Sequence, residues 1–418
     1  MIHYMENFDF VRVITNGLEV LMFNECNLNS AVISKEVFDI IREIKSIKDY
    51  DRIVGEFSES DQEFFGELRK VFVEKHLLEK TGVGVSELKR INYIITDYCN
   101  LFCRHCCFSA KFLPPHSGDY SIDKELNILD RIISHKPETL NITGGEPLTI
   151  SNFKEVLVRI KNSGIKNRTL QTNATLINED NVQDLVEAFN GFDISLDGST
   201  PEETEMIRGK GVFEKVMNAI DLLKKNGMKN ISVSCAMNLD ESDKRSRFED
   251  LCKKLDVRPL VRQMSSAGRA GVNSLNTRDR TEDYFLDKTG EYCTCSAGRS
   301  EITVNNKGEV FPCPNFLERQ FSMGNIMDDD IENELGWDKR HDWYKEFSQY
   351  VPAGREECSE CEVNILCWNC PFQIKQFMEL HNIKRLTELC ERKKQLIYRR
   401  LWGNDAEILN QHMDNQKM

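Results

Sequence analysis

Between residues 91 and 263 the chain alternates β-type runs with stretches whose apolar residues recur at helical spacing. Six runs read as strands: INYIIT, TLNIT, RTLQT, FDISLD, ISVSCAMN and VRPLVRQ. Between them FKEVLVRIKNSG and FEKVMNAIDLLKKNG read as helices that close on Gly164 and Gly227, glycine being the residue that ends a helix in a left-handed turn. Six βα units predict a parallel sheet, doubly wound or curled into a partial barrel. Strands covered on both sides are apolar throughout, but here one face of each is polar. That face holds Asn141 and Thr143, then Gln171 and Asn173, then Asp193, Ser195 and Asp197, then Ser232, Ser234 and Asn238. Leu140, Ile142, Ile194, Leu196, Val233 and Cys235 take the opposite face. A polar lumen predicts an open barrel with a polar ligand at the C-terminal strand ends.

Residues 1–84 read as a unit of their own. FDFVRVI and LEVLMFN flank TNG as a hairpin,. A first helix is expected over SKEVFDIIREIKSI, with Val37, Ile40, Ile41 and Ile44 on its inner face, and a second over SDQEFFGELRKVFVEKHLLEK with Ser60 as N-cap,. TGVGVS at 81–86 reads as a linker. Beyond about residue 290 the periodicity fades and cysteines multiply, up to Cys390, before a basic helical stretch, ERKKQLIYRRLW, and a polar tail.

The chain's 418 residues suffice for two or three domains, and 40% hydrophobic with 29% charged residues is ordinary for a globular protein,. No secretory signal and no long apolar run is visible, which predicts a cytoplasmic protein without a membrane partner. In a reducing compartment its fifteen cysteines read as metal ligands or catalytic thiols rather than disulfides,. The net charge of −13, from 55 basic and 68 acidic residues, argues against nucleic acid, which calls for a basic patch.

CNLFCRHCC, residues 99–107, follows the first barrel strand at its C-terminal end. Cys99, Cys103 and Cys106 are spaced C-x3-C-x2-C. A structural zinc takes four ligands, commonly from paired knuckles, and His105 adjoins Cys106 too closely to be aimed readily at the same metal. Three thiolates on one loop suit an iron–sulfur cubane with one iron left open. Cys107 reads as a solvent-shielded spare.

These features resemble the radical S-adenosylmethionine (radical SAM) superfamily. The loop is similar to its C-x3-C-x-aromatic-C signature, with His105 in the aromatic position; GGEP at 144–147 ends strand two, QTNAT follows strand three, and SLDG ends strand four. The resemblance covers roughly residues 90–270. It implies that an iron–sulfur cluster held by Cys99, Cys103 and Cys106 chelates S-adenosylmethionine and cleaves it reductively to a 5′-deoxyadenosyl radical, the cofactors carrying the hard step. Gly144 and Gly145 would let the backbone approach the methionyl amino group, and Glu146 would accept from it. Ser195 would suit a ribose hydroxyl, Asn173 a further polar contact, and Arg208 the carboxylate.

The later cysteines resemble the SPASM domain, which carries two auxiliary 4Fe–4S clusters. By that resemblance Cys295, Cys313 and Cys370 hold the first, and Cys358, Cys361, Cys367 and Cys390 the second. Two residues stand between Cys367 and Cys370 where that family commonly has three. Cys293 either completes the first set or leaves an iron open. Cys26, Cys235 and Cys252 read as core residues.

The chain is thus expected to be α/β: a partial (β/α)6 TIM-like barrel at 85–285, a SPASM domain at 286–395 and a tail at 396–418. Residues 1–84 resemble the winged-helix-like element that binds leader peptides. Three 4Fe–4S clusters and S-adenosylmethionine are the implied cofactors, and a leader-bearing precursor peptide and an electron donor such as flavodoxin or ferredoxin the implied partners. The implied activity is peptide maturation by crosslinking, most often through a thioether. An anaerobic sulfatase maturase resembles the chain in its clusters, but carries Asp after the cysteine of the G-x4-C motif, where Pro314 stands here. A small-molecule dehydrogenase and a non-catalytic zinc-bound scaffold are the other readings.

Overall fold

A computed structural model describes residues 3–25, 29–80, 88–112, 122–237, 241–264, 268–273, 295–328, 331–336, 340–367, 370–379 and 383–402. The chain forms two compact units. One comprises residues 1–86, 290–295 and 347–418, the other residues 87–289 and 296–346.

The first unit opens with a four-stranded antiparallel sheet of β1 (His3–Met5), β2 (Phe8–Thr15), β3 (Glu19–Asn24) and β4 (Ser30–Ser34), paired in chain order. The TNG hairpin joins β2 to β3, its turn fixed by the Asn16 side chain, which accepts from the amides of Leu18 and Glu19. Helices α1 (Lys35–Ile41), α2 (Ile47–Val54) and α3 (Glu59–Glu74) follow. Ser34, Ser46 and Ser58 each accept from a backbone N–H three residues on, so each caps a helix,. The helix expected over 34–47 stops at Ile41, a second helix unforeseen in the sequence starts after Ser46 and runs to Val54, and the cap of α3 is Ser58 rather than Ser60. Ile41 and Ile44 are fully buried, whereas Ile40, expected inside, is 41% exposed. The linker expected at 81–86 lies outside the described residues.

In the second unit, six parallel strands lie side by side in chain order: β5 (Arg90–Thr96), β8 (Thr139–Gly144), β9 (Asn167–Thr172), β10 (Gly191–Ser195), β11 (Ile231–Met237) and β12 (Arg258–Gln263). Between β5 and β8 a small parallel ribbon of β6 (Tyr98–Cys99) and β7 (Lys111–Phe112) encloses the cysteine loop. The connecting helices are α4 (Asp123–Ser134), α5 (Phe153–Asn162), α6 (Val182–Ala188), α7 (Pro201–Arg208), α8 (Val212–Lys225) and α9 (Ser242–Lys254), with a short α10 (Gly268–Val272) after β12. Gly164 and Gly227 follow α5 and α8 at φ +71° and +87°, the left-handed turns that glycine tolerates. The polar strand faces are stitched together. Asn141 donates to Asn92 at 2.8 Å, Arg262 pairs with Asp193 at 2.5 Å, and Arg258 donates to Ser232 at 2.6 Å.

The barrel stays open. On its free side β5 pairs with β13 (Glu301–Val304), which continues into β14 (Glu309–Phe311) and β15 (Gly324–Asn325). The cysteine-rich stretch, whose periodicity looked exhausted, thus adds three strands to the sheet. Beyond α11 (Asp342–Ser348), helices α12 (Pro371–Glu379) and α13 (Ile383–Trp402) belong to the first unit. There the N-terminal sheet is covered on both faces. Val11, Val20 and Met22 pack with Tyr50, Phe65 and Phe72 of its helices, and Ile14, Leu21 and Phe23 pack with Val363, Leu366 and Tyr398. Among the described residues no helix is long and apolar enough to cross a membrane.

Candidate active site

The loop after β5 carries Cys99, Cys103 and Cys106, and its shape is fixed from four directions. Gly145 and Glu146 donate their amides to the carbonyls of Thr96 and Tyr98 at 2.8 Å. Both glycines are needed for that join, since a Cβ on Gly144 would stand 2.4 Å from the Thr96 carbonyl oxygen and one on Gly145 2.1 Å from that of Tyr98. The glycines thus seat the GGEP turn against the strand end that launches the cysteine loop. From α7, the Ile207 carbonyl accepts from the Arg104 amide at 3.0 Å. From α10, Arg269 donates to the carbonyls of Cys103 and Ala110 at 2.9 and 2.8 Å and stacks over Phe102 at 4.0 Å. From the turn after β9, Asn173 donates to Asn100 at 2.9 Å and toward the Cys99 sulfur at 3.7 Å.

The three thiols share one environment. Burial, above all, pushes Cys99 up to about 12, and the negative charges of Glu146, Cys103 and Cys106 add to it. Burial also raises Cys103, against the pull of Arg208. Such thiols need a metal or a cationic neighbour to ionise. The Leu101 amide donates to the Cys99 sulfur and the Ala110 amide to the Cys106 sulfur, each at 3.4 Å. Hydrogen bonds of this kind tune an iron–sulfur cluster.

Above the loop lies a buried charged group that the sequence only half disclosed. Asp197, 1% exposed, stands 2.5 Å from Arg208 Nη2 and 2.7 Å from His105 Nε2, and accepts from the Ala236 amide at 2.7 Å. Burial opposes its charge, yet Arg208 and His105 outweigh burial and hold its carboxyl well below the usual range. His105, weighed above as a zinc ligand, is aimed at Asp197. The Nδ1 of His105 and the Nε of Arg208 are buried without a hydrogen-bond partner among the described residues, so the site offers unsatisfied polar atoms to a ligand.

Glu146 is fully buried, its carboxylate accepting from Thr172 Oγ1 and the Asn173 amide, both at 2.7 Å, and from the Leu148 amide. Burial lifts it to about 7. Ser195 lies half-buried at the end of β10 beside Ser234. Cys107 is exposed as a residue, yet burial pushes its thiol up to about 11, while Cys235 and Cys252 are fully buried as expected of core residues. Cys26, Cys293 and Asn238 lie outside the described residues.

A second gathering of thiols lies in the other unit. Cys367 feels the charges of Cys390, Cys358 and Cys361, and Cys390 that of Cys361. Burial pushes Cys367 up to about 12 and Cys358 up to about 11. Two buried cations stand among them: Arg355, which lowers Cys358 and Cys390, and Lys393, which burial brings down to about 8 against the pull of Cys367. Cys370 shows no such link to these four. It shares the first unit with Cys295, and Cys313 lies in the second. Among the described residues no three His, Cys, Asp or Glu side chains converge on a single metal ion. A four-iron cluster makes a different demand, since each thiolate binds its own iron. Arg269, Arg355 and Lys393 escaped the sequence reading, because an isolated basic residue carries no spacing signal.

Residues 93–255 match the radical SAM superfamily, and residues 293–362 match SPASM, an iron–sulfur cluster-binding domain. The chain belongs to the radical SAM superfamily and is an enzyme of the class that combines the barrel with a SPASM domain. It is 24% identical over 315 residues to the mycofactocin maturase MftC of Mycolicibacterium smegmatis, covering 68% of this chain and 78% of that one. It is 27% identical over 307 residues to AlbA of Bacillus subtilis, an antilisterial bacteriocin subtilosin biosynthesis protein, covering 66% and 65%. Among solved structures, SuiB of Streptococcus suis bound to S-adenosylmethionine shares the fold, with a TM-score of 0.52 at 15% identity, covering 87% of this chain and 94% of that one. Iron–sulfur clusters and S-adenosylmethionine are therefore its cofactors. When bound, they supply one-electron cleavage of a carbon–sulfur bond and a radical that abstracts hydrogen. The three thiols on one loop, two of them buried, the amides aimed at the Cys99 and Cys106 sulfurs and the unsatisfied polar atoms above them fit that pair.

Proposed function

We propose that the protein is a peptide maturase that abstracts hydrogen from a ribosomally made precursor and installs a thioether crosslink. The observation that carries this reading is the first unit, where a sheet whose outer strand β4 pairs on one side only among the described residues shares one compact body with Cys358, Cys361, Cys367 and Cys390. Peptides commonly add a strand to such an edge, and the relatives named above are a maturase and a bacteriocin biosynthesis protein.

In this reading Cys99, Cys103 and Cys106 hold the cluster that binds S-adenosylmethionine, with Arg208, Ser195, Asn173 and the Gly144–Glu146 turn around the cofactor. Cys295, Cys313 and Cys370 hold one auxiliary cluster, and Cys358, Cys361, Cys367 and Cys390 another. The crosslink needs both. In that crosslink the substrate carbon would give up a hydrogen atom and the substrate thiol a proton, and a cluster held by these auxiliary thiolates would supply the acceptor for the remaining electron. A small reduced electron carrier of the flavodoxin or ferredoxin kind starts the next cycle. Pro314 in place of the aspartate speaks against a sulfatase maturase.

One observation favours a second reading. Cys107 adjoins Cys106, burial pushes its thiol up to about 11 so that it stays protonated, and a thiol there could return a hydrogen atom to the substrate, as an epimerase requires. Product mass in heavy water separates the two. Loss of two hydrogens with one thiol no longer alkylated supports the thioether; gain of one deuterium at an alpha carbon with no other change overturns it.

A further inference from the structure

Arg12 sits in mid-strand on β2, yet it is only 5% exposed. A guanidinium so buried must have its donors answered, and they are answered from two places. Its Nε and Nη2 meet Glu25 at 2.6 and 2.5 Å. Its Nη1 donates to Asn364 Oδ1 at 2.6 Å and to the Glu362 carbonyl at 3.3 Å. Glu362 and Asn364 belong to the short loop between Cys361 and Cys367. Asn364 then passes the link on, donating its own Nδ2 to the Cys358 carbonyl at 2.8 Å.

The apolar neighbours follow the same path. Ile14 and Leu21 pair across β2 and β3, as do Arg12 and Phe23. On that face Ile14, Leu21 and Phe23 pack against Val363 and Leu366 of the loop and Tyr398 of α13, with Cys361 at the margin. The opposite face of the same strands packs on α1–α3. One strand pair therefore carries the N-terminal helices on one side and the cysteine loop on the other.

We infer that Arg12 is a positioning residue for the iron–sulfur site of Cys358, Cys361, Cys367 and Cys390, the N-terminal sheet forming one wall of that site. This rests on the reading that those four thiols hold a cluster. Arg12 fixes the backbone that carries Cys361 and, through Asn364, the backbone that carries Cys358. The apolar contacts around it bury Val363 and Leu366 of the loop. Hydrogen bonding and solvent exposure are both levers on a cluster's potential. The sheet whose outer strand β4 would receive a docked peptide is thereby joined, through Arg12 on β2, to the site that would take up the electron.

The test uses the full chain, reconstituted anaerobically, with Arg12→Met, Arg12→Lys and Asn364→Leu beside wild type. Iron per chain and the auxiliary-cluster potential, from an EPR-monitored redox titration, are the readouts, and 5′-deoxyadenosine formation is the control. For Arg12→Met the expectation is loss of one cluster's iron, or full iron with the reduced-to-oxidised ratio at fixed potential shifted at least tenfold, 59 mV for one electron. Arg12→Lys recovers part of the shift, and 5′-deoxyadenosine formation is unchanged. Full iron and an unmoved potential in Arg12→Met overturn the inference. If that variant does not accumulate as folded protein, Asn364→Leu cuts the same link from the loop side and leaves the Arg12–Glu25 pair intact. An unmoved potential with full iron there also overturns it. A Cys367→Ala, Cys390→Ala double variant tests the underlying reading separately, since unchanged iron in it would remove the cluster itself.

Discussion

The Asp197 carboxylate and the Arg208 guanidinium meet at 2.5 Å inside the barrel, with side-chain exposures of 1% and 9%. The same carboxylate oxygen takes His105, next to Cys106, at 2.7 Å. The pair therefore joins α7 and the end of β10 to the cysteine loop. Removing one partner of a buried ion pair strands the other charge and typically costs about 3–5 kcal/mol. Asp197→Asn is expected to destabilise the protein by that order and to slow 5′-deoxyadenosine formation, because the loop loses its hold on His105. A denaturation midpoint and a turnover assay on the same preparation check it.

Iron content addresses the three thiols on the loop. Three four-iron clusters would give about twelve irons per chain. Changing Cys99, Cys103 and Cys106 together to Ala should leave about eight, since the auxiliary thiols are untouched, and abolish 5′-deoxyadenosine. A triple variant that makes 5′-deoxyadenosine at the normal rate would falsify the assignment. A zinc-bound scaffold would show no iron dependence at all.

Much of this architecture is legible in the sequence, for physical reasons that also mark the limits. The barrel strands could be read because four in succession have a polar face that alternates with an apolar one, and the helices because Gly164 and Gly227 end them. Cys99, Cys103 and Cys106 could be read because a cluster shared by three thiols of one loop would impose a local spacing. His105 lies far from Asp197 and Arg208 in the chain, so its meeting with them depends on how the strand ends come together, which leaves no periodic trace. Arg12 is harder still. A single arginine in VRVI looks like a solvent-facing residue of a half-exposed strand, and only the loop at 362–366 makes it a buried one. Helix α2 was missed for a simpler reason: Ile44 and Ile47 keep helical spacing across the break, although Ser46 caps a new start.

Peptide docking on the N-terminal sheet is best tested by substitution rather than deletion. Removing residues 1–84 would also uncover Val363, Leu366 and Tyr398, which pack on that sheet. Val32 lies on the outer strand β4 and is 47% exposed. Val32→Asp should therefore spare the fold while opposing an added strand, weakening binding of the precursor about tenfold, or about 1.4 kcal/mol. Cleavage of S-adenosylmethionine without peptide should not change. Calorimetric titration with the precursor measures the first and a turnover assay the second.

Glu146 gives a pH dependence with a definite sign. Burial raises its carboxyl from 4.5 to about 7 in the folded chain. A raised carboxyl contributes stability that is fully present below the unfolded value and is lost as pH rises through the folded one. Between about pH 5 and about pH 8.5, wild type should lose roughly 2–3 kcal/mol of unfolding free energy relative to Glu146→Gln, which cannot ionise. Anaerobic urea titrations of both proteins at the two pH values measure that difference. A constant gap between them would show that Glu146 is ionised throughout.

Two glycines separate the need for space from the need for backbone freedom. A Cβ on Gly145 would lie 2.1 Å from the Tyr98 carbonyl oxygen and 3.1 Å from the Cys99 amide nitrogen, so the GGEP turn could no longer seat against the strand end before the cysteine loop. Gly227 has nothing within 4 Å of that position, and its φ of +87° is its whole requirement. Gly227→Ala should cost about 1–2 kcal/mol for the left-handed turn and leave activity intact. Gly145→Ala should cost about 1–3 kcal/mol from overpacking, and unlike Gly227→Ala it should lower both the iron bound at the loop and the rate of 5′-deoxyadenosine formation. Comparing the two variants at equal residual stability isolates the effect on the site. Equal activity in both would mean that the join between Gly145 and Tyr98 matters to the fold and not to the chemistry.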